Sequence, residues 1–155
     1  MRSFDQSLPM ALLSAREAMM RAFRPMLGRH DLTEQQWRVL RALTTTTDGL
    51  EVGELAENTL LLGPSLSRIV ANLVDRGVLT RTSREHDQRR ALVALTPKGR
   101  SVVAAVGPAS EAIYDQIETH IGSGRLAEVL PLLSDLAGFD ADLASTHVGE
   151  LDASH

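Results

Sequence analysis

From Leu8 to Met26, apolar residues recur at steps of three and four: Leu8, Leu12, Ala15, Met19, Phe23 and Met26. Such steps return to one side of an α-helix, so the spacing predicts a helix with one apolar stripe, closed by Gly28. Thr33 followed by Gln36 forms a capping box, with Leu32 and Trp37 placed as its hydrophobic staple. A second helix then runs to about Thr45 and buries Trp37, Leu40 and Leu43. Thr44 to Gly49 is a turn, Leu50 to Val52 fits one short strand, and Glu54 to Asn58 a short helix. After a turn over Leu60 to Gly63, Pro64 occupies the first position of a helix that reaches Arg76 and stops at Gly77.

Alternation replaces the helical period over Val78 to Arg84 and Arg89 to Leu95, two strands joined by Glu85 to Gln88. Thr96-Pro97 then starts a helix whose stripe is Val102, Val106, Ala109, Ile113, Ile117 and Ile121, kinked by Pro108. Ser123 begins a last helix with Leu126, Leu130, Leu133, Leu136 and Leu143, bent by Pro131, and the polar tail from Ser145 frays. The expected fold is mainly α with a small β-hairpin: a winged helix-turn-helix plus a helical dimerisation region. It forms a single domain over 1–155, with the winged lobe at 31–98 and the dimerisation helices at 5–30 and 97–145.

Charge sharpens this picture. The chain of 155 residues carries a net charge of -4, yet Arg76 to Arg100 carries +5 and Glu111 to the end -8. A phosphate backbone responds to the local patch rather than the total. No cysteine is present, so disulfides, thiolate metal sites and thiol-based sensing are excluded. The early apolar stretch is interrupted by Pro9 and followed at once by Arg16 and Glu17, unlike an export signal. No run approaches the length of a membrane span. A cytoplasmic location without membrane contact is expected.

The helix from Pro64 to Arg76 has two faces. Leu66, Ile69, Val70, Leu73 and Val74 form the buried one. Ser65, Arg68, Asn72 and Asp75 line the other, with Ser67 beside them. Small hydroxyls with one Arg and one Asn suit a major groove, where Arg and Asn make two-pronged base contacts. The plain alternative is a solvated face of a surface helix. The hairpin favours the first reading: Arg84, Arg89 and Arg90 surround Asp87, and narrow minor grooves attract inserted Arg. Asp87 sits two residues from Arg89, near enough to brace it.

The stretches Leu55-Ala56-Glu57, Pro64 to Val70, Leu73 to Arg81 and Asp87 to Gly99 together resemble the MarR family of bacterial regulators. Leu12 to Ala18 and Leu32 to Leu43 are similar to repressors of homoprotocatechuate-degradation operons within it. The resemblance implies a homodimer built on the first and last two helices, recognition helices in successive major grooves and wings on flanking minor grooves. It implies double-stranded DNA with an inverted-repeat operator as partner. It makes Arg89 the wing arginine and Asp87 its bracing acid.

Many members of that family release DNA on binding a small aromatic acid. Arg16, amid Leu12, Ala15, Met19 and Met20, can clamp a carboxylate; equally it can form an ion pair with Glu17 or an acid of a second copy. Met20 can line an adaptable pocket or simply pack. His30 can bond a phenol or end a helix, and Trp37 can face an effector or belong to the core. His30, His86, His120, His147 and His155 form no close-spaced ligand pair, so no metal is expected. No phosphate loop or nucleophile elbow supports an enzyme, so no catalytic residue or cofactor is expected. A winged-helix protein–protein adaptor is the competing reading, but it calls for a neutral or acidic recognition face.

Overall fold

The computed structural model describes residues 3–4, 7–82, 91–122 and 124–139. They form α1 (Leu8–Gly28), α2 (Glu34–Leu43), β1 (Leu50–Glu51), α3 (Val52–Thr59), α4 (Gly63–Asp75), β2 (Leu79–Thr82), β3 (Leu92–Leu95), α5 (Pro97–Ile121) and α6 (Arg125–Ala137). This is a helical chain with a small antiparallel sheet in the order β1-β3-β2. Backbone contacts divide it into two compact units, Met1–Ile113 and Tyr114–His155.

The first unit holds the buried core. Leu27 of α1, Leu40 and Leu43 of α2, Leu55 of α3, and Leu66 and Leu73 of α4 are all removed from solvent. Leu79 of β2, Val93 of β3 and Val106 of α5 join them. Burial of these side chains is what holds short elements together, since α3, with only 8 residues, is below the length at which an isolated helix persists in water. Within α1 the apolar stripe divides: Phe23, Met26 and Leu27 are buried, whereas Leu8, Leu12, Leu13 and Met19 are exposed.

Several boundaries differ from the sequence reading, each for a local reason. α2 stops at Leu43 because Thr44 caps it, its N–H reaching the Arg41 carbonyl. Val52 belongs to α3 rather than to the strand: Glu51 precedes α3 as its cap, and the Glu54 carboxylate accepts the Glu51 N–H at 2.9 Å. α4 begins at Gly63, with Leu62 as N-cap, so Pro64 stands second in the helix. The second position is as good for proline as the first, because its missing N–H would have no intrahelical partner. The expected two-stranded hairpin is part of a three-stranded sheet, since Leu50 pairs with Val93 and Glu51 with Leu92.

β2 and β3 pair from Leu79↔Leu95 to Thr82↔Leu92. Gly77, at φ +69, turns the chain from α4 into this sheet. The Thr96 hydroxyl donates to the carbonyls of Gly77 and Val78 and accepts the Gly99 N–H at 2.9 Å. One side chain thereby joins the end of α4, the start of β2 and the N-terminus of α5.

In the second unit, α6 buries none of its residues. Val129, Leu130, Leu132, Leu133 and Leu136 are exposed along it, as is Phe139 beyond it. Gly124, in the left-handed region, precedes its first residue, and Pro131 lies inside it. Ser123 and Leu143, assigned to this helix from the sequence, lie outside the described residues.

Candidate nucleic-acid interface

α4 presents the two faces its sequence called for. Leu66, Val70 and Leu73 are buried, with Ile69 and Val74 half-buried. Ser65, Ser67, Arg68, Asn72 and Asp75 are exposed. The buried face fixes the helix against its unit and leaves the outward one free to meet a groove. Asn72 is not wholly free: its Oδ1 accepts a hydrogen bond from Gln36 Nε2 at 2.9 Å. Gln36 is also the reciprocal half of the α2 capping box, its Oε1 accepting the Thr33 N–H at 2.9 Å while its own N–H reaches the Thr33 hydroxyl at 3.2 Å.

Part of the basic segment after α4 is structural. Lys98 Nζ donates to the Arg76 carbonyl at 2.7 Å, placing a cation at the C-terminal end of α4 where the helix dipole favours one. Arg100 donates to the Leu95 carbonyl at 2.9 Å. These two cations are therefore engaged in holding the lobe together. Arg81 lies exposed on β2. Arg84, Asp87, Arg89 and Arg90 lie outside the described residues.

The effector candidates occupy varied environments. Arg16 is exposed on α1 and pairs with Glu17 at 2.9 Å and with Glu34 of α2. Met20, one turn along α1, is half-buried. His30 is half-buried after α1, its N–H bonded to the Leu27 carbonyl at 2.9 Å. Trp37 is 8% exposed and belongs to the core, with the Arg41 guanidinium 5.9 Å from its ring centroid. An open cavity of about 310 Å³ is lined by Arg24, Leu32, Thr33, Glu34 and Gln35; none of the four effector candidates lines it.

A charge centre that the sequence reading missed lies beside this cavity. Glu34, only 19% exposed, accepts from Arg16, from Arg24 at 3.5 Å and from Arg38 at 3.0 Å. As the first residue of α2 it also faces that helix's positive end. Arg38 reaches onward, donating to the Thr59 carbonyl at 3.0 Å. A polar chain thus runs from α1 through α2 to the turn that leads into α4. The Arg38 partnership with Glu34 is an i,i+4 pair visible in the sequence. The pairs with Arg16 and Arg24 depend on how α1 packs on α2, which no local pattern encodes. Arg24 also hydrogen-bonds Glu17, and this contact chiefly, against an opposing effect of desolvation and with help from the positive charges of Arg24, Arg16 and Arg21, holds the Glu17 carboxyl below the usual carboxylate range.

Among the described residues no cluster of His, Asp or Glu could hold a metal ion, and no helix is long and apolar enough to cross a membrane.

Residues 30–90 match a family model described as the MarR family. The chain is 34% identical to the HTH-type transcriptional regulator FarR of Neisseria gonorrhoeae over 93% of its length and 98% of the relative's. It is 36% identical to the homoprotocatechuate degradative operon repressor of Escherichia coli, covering 83% of this chain and 86% of that one. It is also similar to the crystal structure of NadR in complex with 4-hydroxyphenylacetate, with 34% identity, a TM-score of 0.78 and coverage of 90% and 99%.

Proposed function

The chain belongs to the MarR family, and from that premise we propose that it is a DNA-binding transcriptional repressor acting as a homodimer on an inverted-repeat operator. The observation that carries this reading is α4: a helix clamped by Leu66, Val70 and Leu73 with Ser65, Ser67, Arg68 and Asn72 outward, followed in the chain by a small antiparallel sheet and an arginine-rich sequence. The hydroxyls suit phosphate oxygens, and Arg68 and Asn72 suit base edges. Arg84, Arg89 and Arg90 supply the wing, with Asp87 orienting Arg89.

Exposed apolar side chains support the dimer. Leu8, Leu12, Leu13 and Met19 on α1, and Leu130, Leu132, Leu133 and Leu136 on α6, face solvent. Several exposed large apolar side chains along one helix mark an interaction site, and a second copy of the chain is the partner the family uses. The single-domain organisation expected over 1–155 is part of the same proposal, with α1, α5 and α6 providing the dimer.

The effector of this reading is a small aromatic carboxylate. The ligand of the NadR complex, 4-hydroxyphenylacetate, is such an acid, and the Escherichia coli relative is the repressor of a homoprotocatechuate degradative operon. Arg16 offers the cation, with Met20, His30 and Trp37 as further candidates. Because Arg16 is paired with Glu34 and Glu17, an incoming carboxylate competes with those two acids rather than entering a vacant site.

An electrophoretic shift assay across a salt series tests the function. A specific duplex selected from a random pool should be retained at salt concentrations where unrelated DNA is released, and 4-hydroxyphenylacetate should release it. Equal affinity for all duplexes, or none, refutes the reading. Arg89→Ala should flatten the salt slope by about one phosphate-equivalent or less. Asp87→Ala should weaken binding although it removes a negative charge; tighter binding contradicts the bracing role.

A further inference from the structure

We propose that Leu60 and Leu62 read DNA directly, as apolar contacts to thymine methyl groups at the edge of the groove that receives α4. The proposal rests on the regulator reading above and deepens it by naming specificity residues outside the helix face.

Three observations converge on this turn. First, the two side chains are more exposed than any other large apolar residue among those described, Leu60 at 87% and Leu62 at 79%. Second, Leu60 has φ +53, in the left-handed region. Its N–H bonds the Glu57 carbonyl and the Leu61 N–H bonds the Ala56 carbonyl, both at 3.3 Å, closing α3 in an arrangement normally given to glycine or asparagine. A leucine there crowds its own Cβ and leaves its apolar surface in water, so it contributes nothing to the free protein.

Third, the turn that holds these leucines outward is firmly built. Thr59 is buried, and its hydroxyl donates to the Leu55 carbonyl at 2.5 Å. The Thr59 carbonyl accepts from Arg38 at 3.0 Å, and the Leu62 carbonyl accepts the Leu66 N–H at 2.9 Å. Strained positions persist where the surrounding structure over-determines them, and they concentrate at functional sites.

The location supplies the partner. Leu62 is the N-cap of α4, immediately before Ser65, Ser67 and Arg68. The N-terminal end of a recognition helix is the part that meets base edges. The thymine C5-methyl is the one apolar group displayed in the major groove, and apolar side chains distinguish thymine by contacting it. Leucine has no donor or acceptor for a phosphate, so these two residues add base preference without adding charge.

The test uses the full-length chain and uracil, which differs from thymine only in lacking the methyl. Duplexes that bind wild type are selected from a random pool, and each thymine of the enriched site is replaced singly by uracil. At one or two positions per half-site, wild type should lose about fourfold in affinity per methyl removed. Leu62→Ala or Leu60→Gly should abolish that penalty. Leu60→Gly should melt no lower than the parent, since glycine accepts a positive φ. An enriched site at which every uracil is silent overturns this inference alone. So does a uracil penalty that both variants retain in full, or an affinity loss equal on thymine and uracil duplexes. A pool that yields no enriched duplex instead refutes the regulator reading, and this inference falls with it.

Discussion

Gln36 Nε2 donates a 2.9 Å hydrogen bond to Asn72 Oδ1, so the N-terminal cap of α2 and the outward face of α4 share one side chain. A two-pronged contact to adenine needs both the oxygen and the nitrogen of an asparagine amide. The Asn72 oxygen has a second lone pair but is already oriented by Gln36. If Asn72 reads a base as proposed, Gln36 is the residue that positions it, although it lies on another helix.

Asn72→Ala should reduce discrimination at one base step per half-site, by about 1–3 kcal/mol if a full two-pronged contact is lost. Gln36→Ala should alter discrimination at that same step, besides destabilising the fold by about 1 kcal/mol through the lost cap. Competition binding with singly substituted duplexes separates the two effects. A Gln36→Ala penalty spread evenly over all steps would show that the bridge only stabilises the lobe.

The Glu34 centre yields a prediction about release. A ligand shifts an equilibrium only by its differential affinity for the two states. If the effector's carboxylate pairs with Arg16, it competes with Glu34 for the guanidinium, and release comes from the bound acid's tighter fit to the conformation that does not hold DNA rather than from loss of the ion pair itself. Arg16→Ala should leave DNA affinity nearly unchanged while removing release by 4-hydroxyphenylacetate. Arg16→Lys should restore release only in part, because lysine lacks the fork. Glu34→Gln should tighten binding of the acid but not of its amide. Calorimetry with acid and amide checks all three, and an Arg16→Ala variant that responds like wild type assigns this residue to a structural ion pair.

Glu17 gives a pH dependence. Its carboxyl is held below the usual range chiefly by the hydrogen bond from Arg24. A depressed folded-state pKa means stability that is present above the ordinary carboxylate value and lost as pH falls through the lowered one. The pair is exposed, so its contribution is small and screened by salt. Arg24→Ala should return the Glu17 titration upward toward the usual range, as followed by carboxyl carbon NMR. An unchanged titration would show that another group controls it.

Two positions test the packing. A Cβ on Gly99 would lie 2.2 Å from the Val78 carbonyl oxygen, so Gly99→Ala must push α5 off β2. Forcing α5 away from the Val78 carbonyl just before β2 should cost about 1–3 kcal/mol in thermal unfolding, the usual penalty of overpacking. The Ser110 hydroxyl is buried and finds no hydrogen-bond partner among the described residues. Ser110→Ala should therefore be neutral or stabilising, by about 1 kcal/mol. A marked loss of stability would reveal a partner for this hydroxyl.

The elements with strong local signals were legible in the sequence. Thr33 and Gln36, the stripe of α1, the two faces of α4 and the Thr96 cap all depend on neighbours within a few residues. What escaped depends on the third dimension. β1 extends the sheet because Leu50 meets Val93, far along the chain. Glu34 gathers arginines from α1 as well as its own helix, and Gln36 reaches Asn72 across two helices. The glutamate cap at Glu51 was hidden because serine, threonine, aspartate and asparagine are the usual residues there. Leu60 and Leu62 looked like ordinary turn residues until their exposure and backbone were known.

In the proposed complex a two-fold pair of these chains reads an inverted repeat through α4. The most direct measurement is affinity for a selected duplex as the spacing of its two half-sites is varied. Half-sites about one helical turn apart, roughly 10 base pairs, should bind tightest. Insertion of about half a turn, roughly 5 base pairs, should lower affinity at least tenfold by placing the second site on the opposite side of the helix. Affinity that is indifferent to this insertion, or undiminished when one half-site is scrambled, would contradict the account.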